Sequence, residues 1–457
     1  MKTKLKILLI SSSDLYGGAS IAGYNLHKAL LNAGHKSTMI VDRKLSQDHS
    51  VIEFKSKVRK LYENCISGEW EFPFSYRLGK LFRKLYFEFY KFLKSFGREI
   101  FFFPASKNII KKIDFEPDII HFHNMHGDYF DIRLINKWSK KYKIIVSMHD
   151  LWFFTGHCSV PLDCNHYESL CGNCPDLDLP PSIKIDKTRE NIIFKMKIIN
   201  NNKLYFLAHS NWVLNKLYIR LERSSNDIKL IKYAIDTDYF SPKKRLDARN
   251  KLKLDNNEII IMTNSIDFFS NSYKDIDTLR RALNRLAQQI KQNIKVLVVG
   301  DSRGNQVGFF DFKVKYLNPF YQSEQLIDCY CASDIYIHSS NIETWGLTIS
   351  EALSCGLPVI ASNVGGIPEQ IQGFRYDSHS DLIKTDINLY NIEKANGILF
   401  ERKNEKELYQ AVKYLILNQN IRKKLGKNAR KYAEKYLNIK NKVEEYYNYY
   451  NFINSQE

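Results

Sequence analysis

The chain has 457 residues, 44% of them hydrophobic, enough for two domains with sizeable cores. Its net charge is +18 at pH 7, with a pI near 9.3. That excess favours an anionic partner (nucleic acid, a phospholipid surface or a phosphorylated substrate), although a Lys- and Asn-rich composition accounts for some of it. No run approaches the roughly 18 uninterrupted apolar residues of a transmembrane helix. The start, MKTKLKILLISSS, sets basic residues before an apolar run, but Ile7 to Ile10 is too short for a signal-peptide core. Without an export signal, a cytosolic protein with reduced thiols is expected.

Lys4 to Ser12 reads as a buried strand, Leu15 to Ser20 as a turn, and Ile21 to Ala33 as a helix closed by Gly34. Ser37 to Val41 is the second strand, completing the opening unit of a doubly wound domain. The turn carries Gly17 and Gly18, not GxGxxG, so a dinucleotide fingerprint is not supported. Arg77 to Arg98 holds seven Lys/Arg and one acid, with Leu78, Leu81, Phe82, Leu85, Phe89, Leu93 and Phe96 at helical spacing. Such a helix suits an anionic membrane interface, or packs its stripe on the domain core.

Asp118 to His123 and Lys143 to Asp150 are strands that end in histidines, and Leu204 to Ser210 and Lys229 to Ile235 continue the alternation. Strand ends are where doubly wound sheets place their chemistry, so His149 is a candidate, with His123 and His126 behind it; a histidine satisfied by backbone is the other reading of His149. Asp236 to Arg245 reads as a linker. A second domain follows, with strands at Ile259 to Thr263, Val296 to Val299 and Asp334 to His338.

The stretch Asn341 to Glu369, NIETWGLTISEALSCGLPVIASNVGGIPE, organises that second domain. A helix starting near Thr348 in a Gly-containing loop offers unpaired N–H groups and a positive dipole end to a diphosphate. Glu343 and Glu351 flank it, Glu343 placed for a sugar and Glu351 for ribose hydroxyls. The spacing, the W-G-L-T between the glutamates and the following E-A-L-S-C-G-L-P-V-I-A and G-G-I-P-E resemble the Glu-x7-Glu signature of family 4 glycosyltransferases. The resemblance implies an α/β GT-B fold, two Rossmann-like doubly wound domains facing a cleft. It places an acceptor-side domain over 1–240, a nucleotide-sugar domain over 241–430, and a final helix, 431–457, packing back on the first.

By the same resemblance the reaction is retaining transfer from a nucleotide-diphosphate sugar to a growing surface glycan or lipid-linked saccharide. His149 and Glu343 meet the transferred sugar. Gly17, Gly18, Lys274, Gly346, Leu347, Thr348 and Glu351 line the donor site, with Lys274 on the diphosphate. Two departures stand out. Many members carry an Arg upstream of this Lys, and none occurs here between Leu252 and Arg280. The family's N-G-I-D is Tyr233-Ala234-Ile235-Asp236. Transfer needs no metal. Cys158, Cys164, Cys171 and Cys174, spaced C-x5-C-x6-C-x2-C, suit one structural zinc, with disulfides or free thiols as the other readings. The H-D-x-W-x-x-T-G-x-C…C-G-x-C-P pattern resembles members in bacterial polysaccharide assembly, which implies a cytoplasmic enzyme, peripheral on the inner face of the membrane. The rival functions are a GT-B nucleotide-sugar epimerase and a basic nucleic-acid-binding protein, the latter without a recognisable motif.

Overall fold

The structure is a computed structural model that describes residues 4–54, 96–97, 99, 103–127, 129–221, 228–300, 309–320, 323–376, 383–385 and 394–456. Most of the basic stripe expected over Arg77 to Arg98 lies outside these residues. Among the described residues no helix is long and apolar enough to cross a membrane. The chain divides into two compact units, one of Met1–His209, Val213–Ile231 and Glu445–Glu457, the other of Ser210–Trp212 and Lys232–Glu444.

The first unit is built on a seven-stranded sheet. Its strands are β1 (Lys6–Ser13), β2 (Lys36–Arg43), β3 (Val51–Glu53), β4 (Ile119–His123), β5 (Lys143–Met148), β6 (Leu204–Ala208) and β7 (Ile228–Leu230). The order is β3-β2-β1-β4-β5-β6-β7, and all pairs are parallel. Ile7, Leu8, Leu9 and Ile10 are fully buried, as a run covered on both faces requires. Helix α1 (Gly18–Asn32) turns Ala22, Leu26, Ala29 and Leu30 inward at helical spacing. The strand expected over Lys229 to Ile235 stops at Leu230, because β7 is an edge strand that pairs only with β6. Beyond it Tyr233-Ala234-Ile235-Asp236 is irregular, with Ile235 in an isolated bridge to Asn438, and a turn follows at 237–239, where Asp236 Oδ1 accepts from the Asp238 and Tyr239 amides at 2.9 and 3.0 Å.

The second unit repeats the plan with β8 (Ile259–Asn264), β9 (Ile294–Val299), β10 (Lys313–Leu317), β11 (Ile335–His338), β12 (Val359–Ser362), β13 (Gly373–Tyr376), β14 (Ile383–Thr385) and β15 (Gly397–Phe400). The order is β10-β9-β8-β11-β12-β15-β13-β14, parallel except for β13 with β14. Helix α2 (Ile276–Ala287) starts at Asp275, whose carboxylate accepts from the Thr278 amide at 3.2 Å, and buries Leu279, Ala282, Leu283 and Leu286. Helices α3 (Glu324–Ala332), α4 (Leu347–Ser354), α5 (Glu405–Leu417) and α6 (Gln419–Tyr432) complete the layers.

In each sheet the order reverses beside the first strand of the unit, between β1 and β4 and between β8 and β11. Loops leaving these strands diverge, and the opening at their carboxyl ends is where such sheets hold ligands. Gly17 follows β1 and His123 ends β4; Lys274 and Glu343 follow β8 and β11.

Leu283 is 1% exposed in the core of the second unit. Leu283→Ala is expected to cost about 2–5 kcal/mol of that unit's stability, read from urea unfolding. An unchanged midpoint would contradict this core.

Candidate functional site

In the second unit the loop after β8 brings Lys274 to the end of β11. Its Nζ donates to Glu343 Oε2 at 2.8 Å, to Ser340 Oγ at 3.1 Å and to His338 Nε2 at 3.1 Å. On its other edge His338 Nδ1 lies 3.3 Å from both Thr348 Oγ1 and Tyr336 Oη. Burial alone would raise the Glu343 carboxyl, but the Lys274 ammonium outweighs it and holds it well below the usual carboxylate range. Burial, helped by Lys274, lowers His338 to about 4, so the ring is neutral and accepts from the ammonium.

Gly346, at φ 90°, is the residue before α4 and supplies no side-chain cap. A Cβ there would meet Ile349 Cδ1 at 3.2 Å and Glu343 Cγ at 3.3 Å, so the turn needs glycine on both counts. Leu347 and Thr348 open the helix, and Lys274 stands one hydrogen-bonded step away through His338. A cation beside an uncapped helix start is suited to an oxyanion. Glu351, one turn further in, is 4% exposed, and its Oε2 accepts from the Tyr330 hydroxyl at 2.8 Å. Burial raises its carboxyl to about 7, only partly offset by that bond.

In the first unit Gly17, at φ 83°, precedes α1 and also leaves that helix without a side-chain cap; Gly18 is its first residue. His149 follows β5 and joins His121, His123 and His209, all buried. His149 Nε2 is 2.9 Å from His123 Nδ1, and its ring stacks on His209 at 5.2 Å. Burial and mutual repulsion push His149 and His121 well below the ordinary histidine value; burial takes His123 to about 3 and His209 to about 4.

Neutral rings make one hydrogen-bond chain unambiguous. His209 Nδ1 lies 2.8 Å from the Ile231 carbonyl, which only accepts, so Nδ1 carries the proton and Nε2 is bare. Ser147 Oγ, 3.0 Å away, therefore donates to Nε2, and accepts in turn from His121 Nε2 at 2.8 Å. His121 Nδ1 is then the acceptor for Tyr450 Oη at 2.7 Å.

The segment after His149 is pinned at two points. Asp150 accepts from the Trp152 amide at 2.9 Å and meets His126 Nε2 at 2.7 Å. Lys195 Nζ, fully buried, donates to Glu99 at 2.7 Å and to the Trp152 carbonyl at 2.9 Å.

Next comes the cysteine loop. Leu170, Cys171, Gly172 and Asn173 all have positive φ, and Cys174 Sγ lies 3.4 Å from His157 Nε2. Cys164 Sγ accepts from the His166 amide at 3.4 Å. Cys158, Cys164, Cys171 and Cys174 are free. Among the described residues no group of three or more His, Cys, Asp or Glu side chains is placed to hold a metal ion.

Sequence reasoning did not single out His338, Tyr330, His121 or His209, and named Tyr450 only as a packing residue of the last helix. His338 and His209 end strands that were legible, so the strand-end rule could have flagged them. Tyr330 and Tyr450 reach their partners only through the fold.

Residues 244–432 match the family described as glycosyl transferases group 1. WcaC of Escherichia coli, named for a glycosyl transferase of colanic acid biosynthesis, is 24% identical over 273 residues, 56% of this chain and 62% of that protein. The sulfoquinovosyl transferase SQD2 of Arabidopsis thaliana is 25% identical over 219 residues, 47% of this chain and 38% of that one. The chain thus spans 62% and 38% of the lengths of these relatives. The crystal structure of Anabaena HepE with UDP and glucose superimposes with a TM-score of 0.61 at 15% identity, covering 97% of this chain and 98% of that one. That likeness is one of fold, and the fold is GT-B, with two Rossmann-like units.

The histidine cluster sets an acid limit. Each ring binds its proton less well folded than unfolded, so stability is complete above about 6.5 and falls as pH drops below it. A ring lowered to about 4 forfeits about 3 kcal/mol by the time pH reaches that value. Urea unfolding followed against pH should show this loss, and His209→Asn should flatten it. A wild-type profile that stays level as pH falls from about 6.5 to 4 would refute a neutral cluster.

Proposed function

We propose, from the match of residues 244–432 to the glycosyl transferases group 1, that the chain transfers a sugar from a nucleotide-diphosphate donor to a growing surface glycan or lipid-linked saccharide, with retention at the anomeric carbon. The observation that carries this reading is Lys274, which sits 2.8 Å from Glu343 and joins the uncapped start of α4 through His338. The leaving diphosphate gains charge as the bond from the anomeric carbon to its oxygen breaks. The Lys274 ammonium and the amides at Gly346, Leu347 and Thr348 stabilise that charge where it develops. Glu343, kept ionised by Lys274, accepts from hydroxyls of the transferred sugar.

Tyr330 fixes the rotation of the Glu351 carboxylate, whose remaining lone pairs serve the ribose hydroxyls. In the first unit His149 meets the sugar, and Gly17 and Gly18 form the turn on the acceptor side. The acceptor hydroxyl attacks the anomeric carbon on the face the diphosphate leaves, and the leaving oxygen takes the acceptor's proton. Rate then comes from positioning and charge stabilisation, and no side chain of the protein acts as nucleophile. The name of WcaC and the UDP and glucose in the HepE structure support this donor and acceptor class.

A thermal-shift screen of sugar nucleotides is the direct test, since a ligand of the folded state raises apparent stability. At least one nucleoside diphosphate sugar should shift the transition and be consumed when a glycan acceptor is added. No shift with any of them would overturn the reading. Glu351→Ala should weaken binding of the matching nucleoside diphosphate by about 1–3 kcal/mol. Because the ionised carboxylate is the better acceptor, wild-type affinity should rise as pH passes through about 7, and Glu351→Gln should lose that component.

A zinc on Cys158, Cys164, Cys171 and Cys174 belongs to this reading as a clamp on the loop beyond His149, not as part of the chemistry. It requires the sulfurs to draw together from their present positions. Elemental analysis of protein purified without chelator should find about one zinc per chain. Metal-free, fully active protein would remove the clamp and leave the transferase reading standing.

A further inference from the structure

His126 and Asp150 meet at the carboxyl edge of the first sheet. β4 and β5 are parallel neighbours, with His123 opposite Ser147, so the loops that follow them leave side by side. His126 lies just beyond β4 and Asp150 just beyond β5. The turn that carries His126 is fixed on both sides, by Asn124 at φ 53° and Gly127 at φ 108°. Asn124 Nδ2 donates to Ser12 Oγ at 3.4 Å, and its carbonyl accepts from Tyr129 Oη at 3.0 Å.

Asp150 is held from behind. Its Oδ1 accepts from the Trp152 amide at 2.9 Å. The Trp152 carbonyl accepts from Lys195 Nζ at 2.9 Å, and the indole N–H donates to Glu99, the partner of that ammonium. Lys195 Nζ also lies 4.2 Å from the centre of the Trp152 ring. Taking an ion pair out of water is costly, and here the pair fixes the backbone that anchors Asp150. Exposure rises along this chain. Lys195 is fully buried, the Glu99 side chain is 10% exposed, and those of Asp150 and His126 are each 20% exposed. The His126 ring stands at the open end.

Asp150 Oδ2 lies 2.7 Å from His126 Nε2. A carboxylate only accepts, so Nε2 carries a proton and donates it. The Ser159 hydroxyl, 3.5 Å from the same nitrogen, is too far to compete. That leaves Nδ1. His126 makes no further hydrogen bond among the described residues, and Nδ1 is not closed off from solvent. Any proton the ring gains or gives up is one on Nδ1, and an uncharged ring presents a lone pair there.

We infer that His126 Nδ1 accepts a hydrogen bond from a hydroxyl of the acceptor saccharide, with Asp150 the positioning residue that aims it. This rests on the transferase reading above and names the group that holds its acceptor. His149, which meets the transferred sugar in that reading, is the residue before Asp150, so the held hydroxyl lies beside the sugar being moved. It is not the attacking hydroxyl, whose proton passes to the departing diphosphate oxygen. It is another hydroxyl of the same acceptor, and holding it selects which oxygen attacks. A phosphate oxygen offers no proton to a lone pair backed by a carboxylate, so the group recognised is a sugar and not the diphosphate of a lipid carrier.

The test uses the full chain with 15N-labelled histidine rings, the His126 signals assigned by their loss in His126→Gln. The wild type should show His126 protonated on Nε2. Asp150→Asn keeps an oxygen for the Trp152 amide but turns an N–H toward the ring, and should move the proton to Nδ1. Methyl glycosides of glucose, galactose and mannose are the sugar probes, and at least one should shift the wild-type Nδ1 signal.

Transfer kinetics give the second readout. His126→Gln keeps a donor for Asp150 and loses the Nδ1 lone pair. It should raise KM for the saccharide acceptor about tenfold, the size of one lost hydrogen bond, and KM for the sugar nucleotide less than about twofold. His126→Asn sets an amide oxygen near the place of Nδ1 and should recover part of that loss. A wild-type ring protonated on Nδ1 and bare on Nε2 overturns the inference. So does an equal rise of both KM values in His126→Gln, the mark of a loop disturbed as a whole. If no sugar nucleotide is turned over yet a glycoside moves the Nδ1 signal, the transferase reading fails and the sugar contact stands. If transfer occurs and no saccharide, the working acceptor included, moves that signal, the contact fails and the transferase reading stands.

Discussion

Parallel pairing is the constraint on which both units depend. A parallel strand cannot return by a tight hairpin, so each crossover carries the chain over a face of the sheet and re-enters at the same end. The carboxyl ends of the parallel strands therefore collect on one edge, β14 alone among the described strands running the other way. Where the order reverses beside β1 and β8, neighbouring crossovers leave toward opposite faces. The residues that matter are found just past those ends, and they are the ones a sheet covered on both faces can spare from packing. The same sheet buries the histidines that end β4 and keeps those rings neutral, whereas Lys274 and Glu343 meet as full charges at the other unit's edge.

The two edges use opposite electrostatics. Around His149 every ring is neutral, and the order of the network comes from a single carbonyl, that of Ile231, which dictates each proton in turn to Tyr450. Around Lys274 the order comes from full charges, with a carboxylate already in contact with the ammonium. Glu343 gives Lys274 a counter-charge, so an incoming oxyanion would substitute one anion for another instead of meeting a bare cation.

Much of the architecture was legible because the informative strands are uninterrupted apolar runs. Ile7 to Ile10 and Ile335 to Ile337 can only be buried, and each is bounded by polar residues or glycine. The Glu343 to Glu351 spacing with Gly346 between them announced a helix start, and the helix begins at Leu347. Less was legible where tertiary pairing overrides local pattern. Lys313 to Leu317 alternates Lys with Val and Tyr and takes its place as β10 only because β9 lies beside it. The antiparallel β14 and the short β3 carry too few residues to show a period. The buried state of Glu351 was hidden too, since nothing local to a glutamate says that Tyr330, 21 residues earlier, will cover it.

Tyr450 completes the histidine chain of the first unit, yet it is made after every residue of Lys232–Glu444. During synthesis the N-terminal sheet emerges first and can pair its strands. Until the ribosome has translated the whole second unit, His121 Nδ1 waits without its donor. A nascent chain stalled anywhere in the second unit therefore carries a first-unit sheet whose hydrogen-bond chain is still open at His121.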